Sequence, residues 1–206
     1  MTQTRLLETS VDFFGRLGFE GASTRDIARA PATTMSSITY HFGSKEGLYL
    51  AAADHIAAQI SARTGPLLDR VDAAEILDRE IAIEQTLTVL DGVAEMMLGA
   101  ETEYWARYII REQQAPTDAF ERIYQGAMRR IADTLIRLVA VARPDLDDRR
   151  GRVTAVMLFG QAMILRSGLA AVCRVLETHD LGEADRALLR QRLRANATSV
   201  LSQTPH

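Results

Sequence analysis

The chain has 206 residues, with 24 Lys and Arg side chains against 27 Asp and Glu, which gives a formal net charge of −3. This balance excludes a bulk electrostatic attraction for polyanions, so any such contact must depend on where individual charges lie. Hydrophobic residues make up 47% of the chain, enough for a large core. The composition is rich in Ala, Leu, Arg and Glu with only 5 prolines, which predicts an all-α fold.

The sequence carries no sign of export or of membrane insertion. The N-terminal segment lacks the apolar core and cleavage site typical of a signal peptide. Cys173 is the only cysteine, which excludes a disulfide within the chain and is typical of a reducing compartment. The longest apolar region, 153–173, contains Gln161 and Arg166, whereas a membrane span needs about 20 mainly apolar residues. We therefore expect a cytoplasmic protein that does not enter a membrane.

The first predicted helix runs from Thr4 to Leu17 and has apolar side chains at helical spacing. Gly18 is expected to end it, because glycine readily adopts the left-handed conformation found at helix C-termini. The apolar face of this helix should pack across the two short helices that follow and complete a three-helix core. That core is expected to contain Leu7, Phe14, Ile27, Ile38 and Phe42.

Residues 23–45 predict two short helices joined by a tight turn, followed by the start of a third helix. Ser23 is a suitable N-cap, and Asp26 three residues later can complete a capping box. Pro31 cannot continue the first helix, because it lacks an amide donor and clashes with the preceding turn. Thr33 and Thr34 can cap the second helix.

The second short helix carries many polar side chains for its length. Ile38 and Phe42 fall on its inner face, Gly43 should end it, and Ser44 should cap the next helix. The residues left to project outward are Met35, Ser36, Ser37, Thr39, Tyr40 and His41. A short helix with such a surface is suited to contact another molecule. The pair has the geometry of a helix-turn-helix, whose second helix enters the major groove of DNA.

The rest of the chain predicts a series of amphipathic helices without repeats or a flexible linker. We expect these helices to end at breakers such as Pro66, Gly99 and Pro144. Their expected limits are residues 45–63, 67–71, 73–98, 101–113, 116–143, 147–167, 169–176 and 183–201. The first of them begins beside the helix-turn-helix and connects it to the remaining chain.

Three motifs together resemble the DNA-binding domain of the TetR family of repressors. They are T-x-x-I-A from Thr24, Y-H-F from Tyr40 after an eleven-residue gap, and S-K-E-x-L from Ser44, within a match over residues 4–52. The segments ITYHFGSKEGLY and REQQAPTDAF are most similar to the CecR branch, with its CerR-like C-terminal domain. Residues 31–34 read PATT where the family usually has AGVS. The alanine disfavours the positive φ that glycine adopts in this turn.

The resemblance implies an N-terminal helix-turn-helix domain, residues 1–50, and a C-terminal helical domain for ligand binding and dimerisation, residues 51–206. It also implies a homodimeric repressor that binds operator DNA and is released when a small-molecule effector shifts its conformational equilibrium. Two alternatives stay open: a constitutive DNA-binding regulator without a ligand, and a helical protein-interaction module. DNA binding that weakens steeply with salt would exclude the module. A filled core without a cavity would favour the constitutive regulator.

The resemblance also assigns contacts to individual residues of the helix-turn-helix. Thr24 and Arg25 would approach phosphates at the start of the first helix. Base edges would be contacted by Met35, Ser36, Ser37 and Thr39, with Thr34 close by. Backbone phosphates would be held by Tyr40, His41 and Lys45. The side-chain chemistry agrees, because hydroxyls donate to phosphate oxygens and a thioether can contact a thymine methyl.

Aromatic and methionine side chains in the C-terminal part can line a ligand cavity, and the family resemblance implies such a site there. They are Met97, Tyr104, Trp105, Tyr108, Phe120, Tyr124, Met128, Phe159 and Met163. Each of them can equally well fill the core. Arg107, Arg111 and Gln113 can orient a polar ligand, although the two arginines can instead pair with Glu103 and Glu112.

No pattern in the sequence indicates catalysis. The 4 histidines are far apart and lack metal-ligand spacing. A Gly-rich phosphate loop and a nucleophile elbow are also missing from the sequence. We expect no enzymatic activity, no cofactor and no bound metal.

Two long apolar segments, 153–176 and 183–201, carry more hydrophobic surface than a single body needs. One helix-turn-helix module buries too little surface for useful specificity, so two half-sites are normally bound together. We therefore expect a homodimer formed through these segments, although packing within one chain is the alternative.

Overall fold

The computed structural model describes residues 3–30, 35–74 and 78–203, and these residues form helices without a β-strand. Within them lie eleven α-helices, one 3₁₀ turn at Ala100–Thr102 and one π-helical segment at Tyr124–Met128. The α-helices are α1 (Gln3–Gly21), α2 (Thr24–Arg29), α3 (Met35–Phe42), α4 (Lys45–Ala73), α5 (Arg79–Leu98), α6 (Glu103–Gln114), α7 (Asp118–Ile123), α8 (Arg129–Ala142), α9 (Asp148–Ser167), α10 (Leu169–Val175) and α11 (Glu183–Leu201). The predicted all-α fold is confirmed.

The chain divides into two compact units. The first unit comprises Met1–Ala62 and Glu101–Met128, and the second comprises Arg63–Ala100 and Arg129–His206. The first unit therefore combines the helix-turn-helix with α6 and α7. The second unit contains α5 and the helices from α8 onward. The predicted domain limits, 1–50 and 51–206, stay a prediction.

The core of the first unit is built around α1 and α6, which pack along each other. Its fully buried large side chains include Phe14, Ile27, Leu48, Ile56, Trp105 and Tyr108. A Cβ on Gly15 would lie 3.2 Å from the backbone nitrogen of Tyr108, so the glycine permits the close approach of the two helices. Of the residues expected in this core, Ile38 is also buried, whereas Leu7 and Phe42 are half-buried.

The first helix breaks where the sequence predicts. Gly18 has φ 74° and ψ 174°, a backbone conformation that strains residues with a Cβ, and a short helical turn then continues to Gly21. Leu17, the last residue of the predicted helix, is about half exposed. Its position immediately before the break takes it off the buried stripe.

Helix α4 is longer than the sequence pattern predicts. It continues through Pro66 to Ala73, so the predicted end before Pro66 is wrong. Proline removes the amide that would donate to the carbonyl of Ala62, but both residues are exposed and water can satisfy that carbonyl. The buried side chains of Leu68 and Val71 continue the apolar face beyond the proline. Burial of this face therefore outweighs the local effect of proline.

The second unit is organised around α5, which packs against α8, α9 and α11. Asp78 caps α5 by accepting a hydrogen bond from the amide of Ile81 at 2.9 Å. The helix begins at Arg79 rather than near residue 73, and residues 75–77 lie outside the described ranges. The Arg190 guanidinium binds both carboxylate oxygens of Asp91 at 2.8 and 2.6 Å, which joins α11 to α5.

The region predicted as one helix from 116 to 143 consists of α7, the π-helical segment and α8. Thr117 is the N-cap of α7 and accepts from the amide of Ala119 at 3.2 Å, so the helix begins after Pro116 rather than at it. A Cβ on Gly126 would lie 2.8 Å from the Cβ of Ala57. The close approach of α4 therefore favours glycine within the π-helical segment.

The predicted break between α9 and α10 is confirmed, with Gly168 as the residue between them. Asp147, at the predicted start of this helix, is the N-cap of α9, and Gly182 precedes α11. Among the described residues, no single helix has the length and apolar character to span a membrane. Helices α9 and α10 reach that length and apolar character only when they are taken together, and the pair is bent by 82°.

Candidate nucleic-acid interface

Helices α2 and α3 form the pair predicted from the sequence. Ile27 and Ala28 of α2 and Ile38 of α3 are buried, which leaves the polar side chains on the outer faces. The two helices contact each other, and α2 also contacts α1. The turn residues 31–34, which include Thr34 and the departure from the family pattern, lie outside the described ranges.

The outer surface of α3 holds most of the residues predicted to contact DNA. The solvent-exposed ones are Met35, Ser36, Thr39, Tyr40 and His41. Tyr40 is 85% exposed, which is unusual for so large a side chain. Ser37 is half-buried, and the hydroxyl of Thr39 donates to the Met35 carbonyl at 3.2 Å. The structure brings these residues together on one short helix, and their individual contacts with DNA stay predictions.

The turn between α3 and α4 depends on two glycines. Gly43 has φ 75°, in the left-handed region that favours glycine. Ser44 caps α4, because its hydroxyl accepts from the amide of Gly47 at 3.0 Å, as predicted for this residue. A Cβ on Gly47 would lie 2.0 Å from the carbonyl oxygen of Phe42, so no other residue fits without a backbone shift. These contacts fix the end of α3 relative to the start of α4.

Lys45, the first residue of α4, is the only lysine of the chain. Its ammonium nitrogen donates to the carbonyl of Glu20 at 3.4 Å and lies 4.6 Å from the centre of the Phe19 ring. A phosphate contact would require this ammonium to exchange neutral partners for an anion. Charge favours that exchange, because hydrogen bonds between ions are stronger than those to neutral groups.

The start of α2 differs from the prediction. Ser23 occupies the N-cap position with an extended backbone, but its side chain makes no capping hydrogen bond, so the capping box with Asp26 is wrong. The amide of Ile27 instead bonds the Ser23 carbonyl at 2.9 Å, the ordinary first hydrogen bond of a helix. Thr24 is half-buried and Arg25 is exposed at this end.

Behind the helix-turn-helix, three buried side chains join α4 to α6. The hydroxyl of Tyr49 donates to the carboxylate of Glu112 at 2.5 Å, and the hydroxyl of Tyr108 donates to the Tyr49 carbonyl at 2.8 Å. The two tyrosine rings also stack, with centres 4.7 Å apart. Burial, and next the hydrogen bond to Glu112, raises the pKa of Tyr49 far above its ordinary value. Burial likewise raises the pKa of Tyr108, so both hydroxyls stay protonated and donate.

Glu112 is a junction between α4, α6 and α7. It is 3% exposed, and its second carboxylate oxygen accepts from the amide and hydroxyl of Thr117 and from the amide of Phe120 at 2.8 to 3.1 Å. Among the described residues, no Lys, Arg or His side chain forms an ion pair with this carboxylate. Four hydrogen bonds from neutral donors therefore satisfy the two oxygens of this carboxylate.

Arg111 attaches α6 to the broken end of α1. Its guanidinium donates to the carbonyls of Gly15 and Arg16 at 2.7 and 2.9 Å. Because the helix breaks at Gly18, the carbonyls of this turn lose the backbone amides that would donate to them in a continuous helix. The Arg111 guanidinium supplies the donors instead. The pairing of Arg107 with Glu103, one of the two alternatives from the sequence, is present at 3.1 Å.

The residues predicted to line a ligand cavity are divided between the two units. Tyr104, Trp105, Tyr108, Phe120, Tyr124 and Met128 belong to the first unit, and Met97, Phe159 and Met163 belong to the second. The Tyr108 hydroxyl already donates to the Tyr49 carbonyl, and the rings of Phe120 and Tyr124 stack with centres 6.0 Å apart. The indole nitrogen of buried Trp105 has no hydrogen-bond partner among the described residues. That these side chains bind one ligand stays a prediction.

A groove of about 750 Å³ lies in the first unit, between the end of α1, the first turns of α4, the end of α6 and the start of α7. Phe19, Tyr49, Glu46, Glu112 and Asp118 are among its lining residues, and sequence reasoning did not assign any of them to a site. Helical periodicity gives no sign that positions more than sixty residues apart form one surface.

Comparisons with known proteins agree with this architecture. Residues 6–52 match the family of bacterial regulatory proteins described as the tetR family. Residues 82–202 match the C-terminal domain of the HTH-type transcriptional dual regulator CecR. The CecR protein of Shigella flexneri is 30% identical over 180 residues, which cover 81% of this chain and 80% of that protein. The HTH-type transcriptional repressor NicS of Pseudomonas putida is 26% identical over 150 residues, which cover 71% and 62%.

Solved structures show the same fold at low sequence identity. The regulator FadR from Bacillus subtilis, in complex with stearoyl-CoA, has a TM-score of 0.67 with 13% identity, and the match covers 100% of each chain. A TetR-like regulator from Rhodococcus sp. RHA1 also has a TM-score of 0.67, with 16% identity over 97% of this chain and 95% of that one. Since the CecR-type domain spans more than half of the sequence and follows a tetR-type helix-turn-helix, the chain belongs to the TetR family of transcriptional regulators.

Proposed function

We propose that this regulator is a repressor that binds operator DNA as a homodimer and leaves it when a small molecule binds. The observation that carries the proposal is the exposed polar surface of α3, with Lys45 at the adjoining helix start. Hydroxyls and the Met35 thioether suit contacts with base edges, whereas Lys45 and Tyr40 suit phosphates. Because none of these residues is a bidentate base reader, half-site spacing and DNA shape contribute to specificity.

An exposed apolar stripe on α9 supports the homodimer. Val153, Val156, Met157 and Ile164 follow one another at helical spacing, and Val156 and Met157 are 64% and 65% exposed. Gly160 lies within the same stripe, and a Cβ there would meet nothing within 4 Å, so a second chain can approach closely. A dimer places two copies of α3 on one DNA duplex, which a single module cannot do.

The effector response rests on thermodynamic coupling between ligand and DNA. In the FadR structure from Bacillus subtilis, a relative of this fold is complexed with stearoyl-CoA. The buried aromatic side chains around Trp105 favour an apolar effector for this protein as well. An effector that lowers operator affinity by a given factor must itself bind the operator complex more weakly by the same factor.

Selection of bound sequences from a random DNA pool tests the function directly. We expect enrichment of a two-fold symmetric site whose half-sites lie about one helical turn apart, as dimeric helix-turn-helix proteins require. Binding of the enriched site should weaken steeply as the salt concentration rises. A pool without enrichment, or binding that does not respond to salt, would overturn the proposal in favour of a protein-interaction module.

A further inference from the structure

A π-helical segment interrupts the helix that otherwise runs from Asp118 to Ala142. It comprises Tyr124–Met128, between the end of α7 and the start of α8. In a π-helical turn each amide donates to the carbonyl five positions earlier instead of four, so the turn holds one more residue than an α-helical turn. Such turns are rare and frequently lie at functional sites. Contacts with other parts of the chain must therefore stabilise this one.

Helix α4 supplies those contacts within the first unit. A Cβ on Gly126 would lie 2.8 Å from the Cβ of Ala57, so the two helices touch at this glycine. The hydroxyl of Ser61, one turn further along α4, donates to the Gly126 carbonyl at 2.8 Å. A change from four-residue to five-residue spacing and back leaves one carbonyl without an amide donor. A side-chain donor inside the segment therefore favours the π-helical form.

The extra residue also sets the direction of the side chains that follow it. In the first unit, Arg122 of α7 pairs with Asp54 of α4. In the second unit, Arg130 of α8 pairs with Asp69 and Asp72 of α4, each at 2.7 Å. In a continuous α-helix, residues eight positions apart differ in direction by about 80°, because each residue turns the helix by about 100°. One inserted residue lowers this difference to about 20°, which lets both arginines face α4.

A neighbouring arginine makes a second position of the wide turn acceptable. If the turn moved by one helical turn toward the C-terminus, the residues between the two positions would join the register of α7 and rotate by about 100°. Arg129 would then take the direction that Arg130 now has, and the pairs with Asp69 and Asp72 would form again. The buried side chain of Leu135 lies beyond this stretch and would keep its place.

We propose that the π-helical turn moves between these two positions and that its position regulates operator binding. A helix one residue shorter, without the wide turn, would present Arg122 and Arg130 in the same directions, so their alignment alone does not require the turn. What the inserted residue adds is a second register for residues 124–130.

The position of the turn acts on DNA through α4. In the described position, Gly126 and its carbonyl hold α4 at Ala57 and Ser61. Helix α4 begins at Lys45 and follows α3, so this position favours operator binding, and the other position favours release. The regulatory role rests on the proposed function, whereas the movement of the turn does not.

Deletion of Gln125, an exposed residue of the segment, tests for the inserted residue. The shortened chain can form a continuous α-helix with the flanking side chains in their present directions, so its urea midpoint should equal or exceed that of the wild type. Deletion of exposed Asp133 in α8 is the matched control. It rotates the buried Leu135 and Leu138 out of the core and should lower the midpoint by at least about 1 M. Equal losses in both deletions would overturn the proposal.

Hydrogen exchange of residues 124–133, followed by mass spectrometry, tests the movement. In the wild type, operator DNA should slow exchange of this segment at least about threefold, because it selects one position of the turn. The protein without Gln125 should bind the operator and exchange slowly with or without it. Helix α5 serves as the internal reference. If the operator did not change exchange of the segment in the wild type, the movement would be excluded.

A swap of one methyl group tests the contact with α4. Gly126→Ala places a Cβ 2.8 Å from that of Ala57 and disfavours the described position, so operator binding should weaken at least about fivefold. The double variant Gly126→Ala with Ala57→Gly moves the methyl group from α4 to the segment and should restore the affinity to within about twofold. A double variant as weak as Gly126→Ala would contradict the coupling through this contact.

The outcomes separate this proposal from the proposed function. If the Gln125 deletion is tolerated and the operator slows exchange of the segment, both proposals stand. If the deletion is tolerated but the protein selects no operator, the inserted residue is supported, and the repressor function fails together with its regulation. If an operator is bound tightly and exchange of the segment does not respond to it, the switch fails and the repressor function stands.

Discussion

Lys45 and Ser37 are expected to make different kinds of contact with DNA. Lys45→Ala removes one phosphate contact, so operator and unrelated DNA should be weakened alike, with the salt slope reduced by about one unit. Ser37→Ala should cost about 1–3 kcal/mol on the operator and spare unrelated DNA, because it removes a base contact. Titrations of both variants on both DNAs at two salt concentrations measure this. If Lys45→Ala changed sequence preference while Ser37→Ala lowered all binding, the proposed docking would be reversed.

Gly47 is expected to be essential for the turn before α4. A Cβ in Gly47→Ala would lie 2.0 Å from the Phe42 carbonyl oxygen, so the end of α3 must shift and operator binding should fall at least about tenfold. Gly65→Ala in the same helix is the matched control, because a Cβ there meets nothing within 4 Å. The control should bind DNA normally and be stabilised by about 0.5–1 kcal/mol. Normal operator binding by Gly47→Ala would contradict the geometry of this turn.

His55 is expected to make stability depend on pH. Burial lowers its pKa in the folded protein, although nearby Glu8 acts in the opposite direction. The unfolded chain therefore binds its proton first, at about pH 6.5, and the stabilisation by neutral His55 is lost as the pH falls further. We expect the unfolding free energy of the wild type, minus that of His55→Gln, to decrease as the pH is lowered from 7.5 to 5. Chemical denaturation over this range measures it, and a constant difference would exclude the mechanism.

At the scale of elements, the contact between α4 and α6 depends on the hydrogen bond from Tyr49 to Glu112. Tyr49→Phe removes the donor and leaves a buried carboxylate with one partner fewer, so the free energy of unfolding should fall by about 1.5–3 kcal/mol. Urea denaturation measures the change. Tyr124→Phe is the control, since the Tyr124 ring stacks on Phe120 and its hydroxyl forms no hydrogen bond within the described residues.

A double-mutant cycle with Glu112→Gln distinguishes the hydrogen bond from a change in ring packing. If the two groups interact as the geometry indicates, the double variant should lose clearly less stability than the sum of the single variants. Additive losses would show that the tyrosine hydroxyl and the carboxylate stabilise the unit independently.

For the whole molecule, the decisive prediction concerns the homodimer. Val156→Arg places a charge in the centre of the exposed stripe on α9, and it should give monomers that keep their helicity and lose operator binding. Ala140→Arg is the control, because it adds the same charge at an exposed position of α8 outside the stripe. Sedimentation at micromolar concentration, together with circular dichroism, measures both variants. A wild type that sediments as a monomer would contradict the dimer.

Much of the architecture followed from local sequence signals. The all-α composition, the breaks at Gly18 and Gly168 and the caps at Ser44 and Asp147 act through residues near them in the chain. The T-x-x-I-A, Y-H-F and S-K-E motifs identified the helix-turn-helix for the same reason, because their spacing reflects two short helices and a cap. Such features can be predicted, since the interacting atoms lie within about one helical turn.

Other features were decided only by tertiary structure. Pro66 predicts a helix end locally, but burial of Leu68 and Val71 on the same face keeps α4 continuous. Tyr49 and Glu112 are 63 positions apart, and only the packing of α4 against α6 makes one the hydrogen-bond donor of the other. The groove beside them has the same origin, because its walls come from four helices. The sequence by itself therefore determined the all-α character, most of the helix breaks, the cap at Ser44 and the DNA-binding motif. The long-range contacts that bury a charge beside a groove depend on chain packing, for which local periodicity carries no signal.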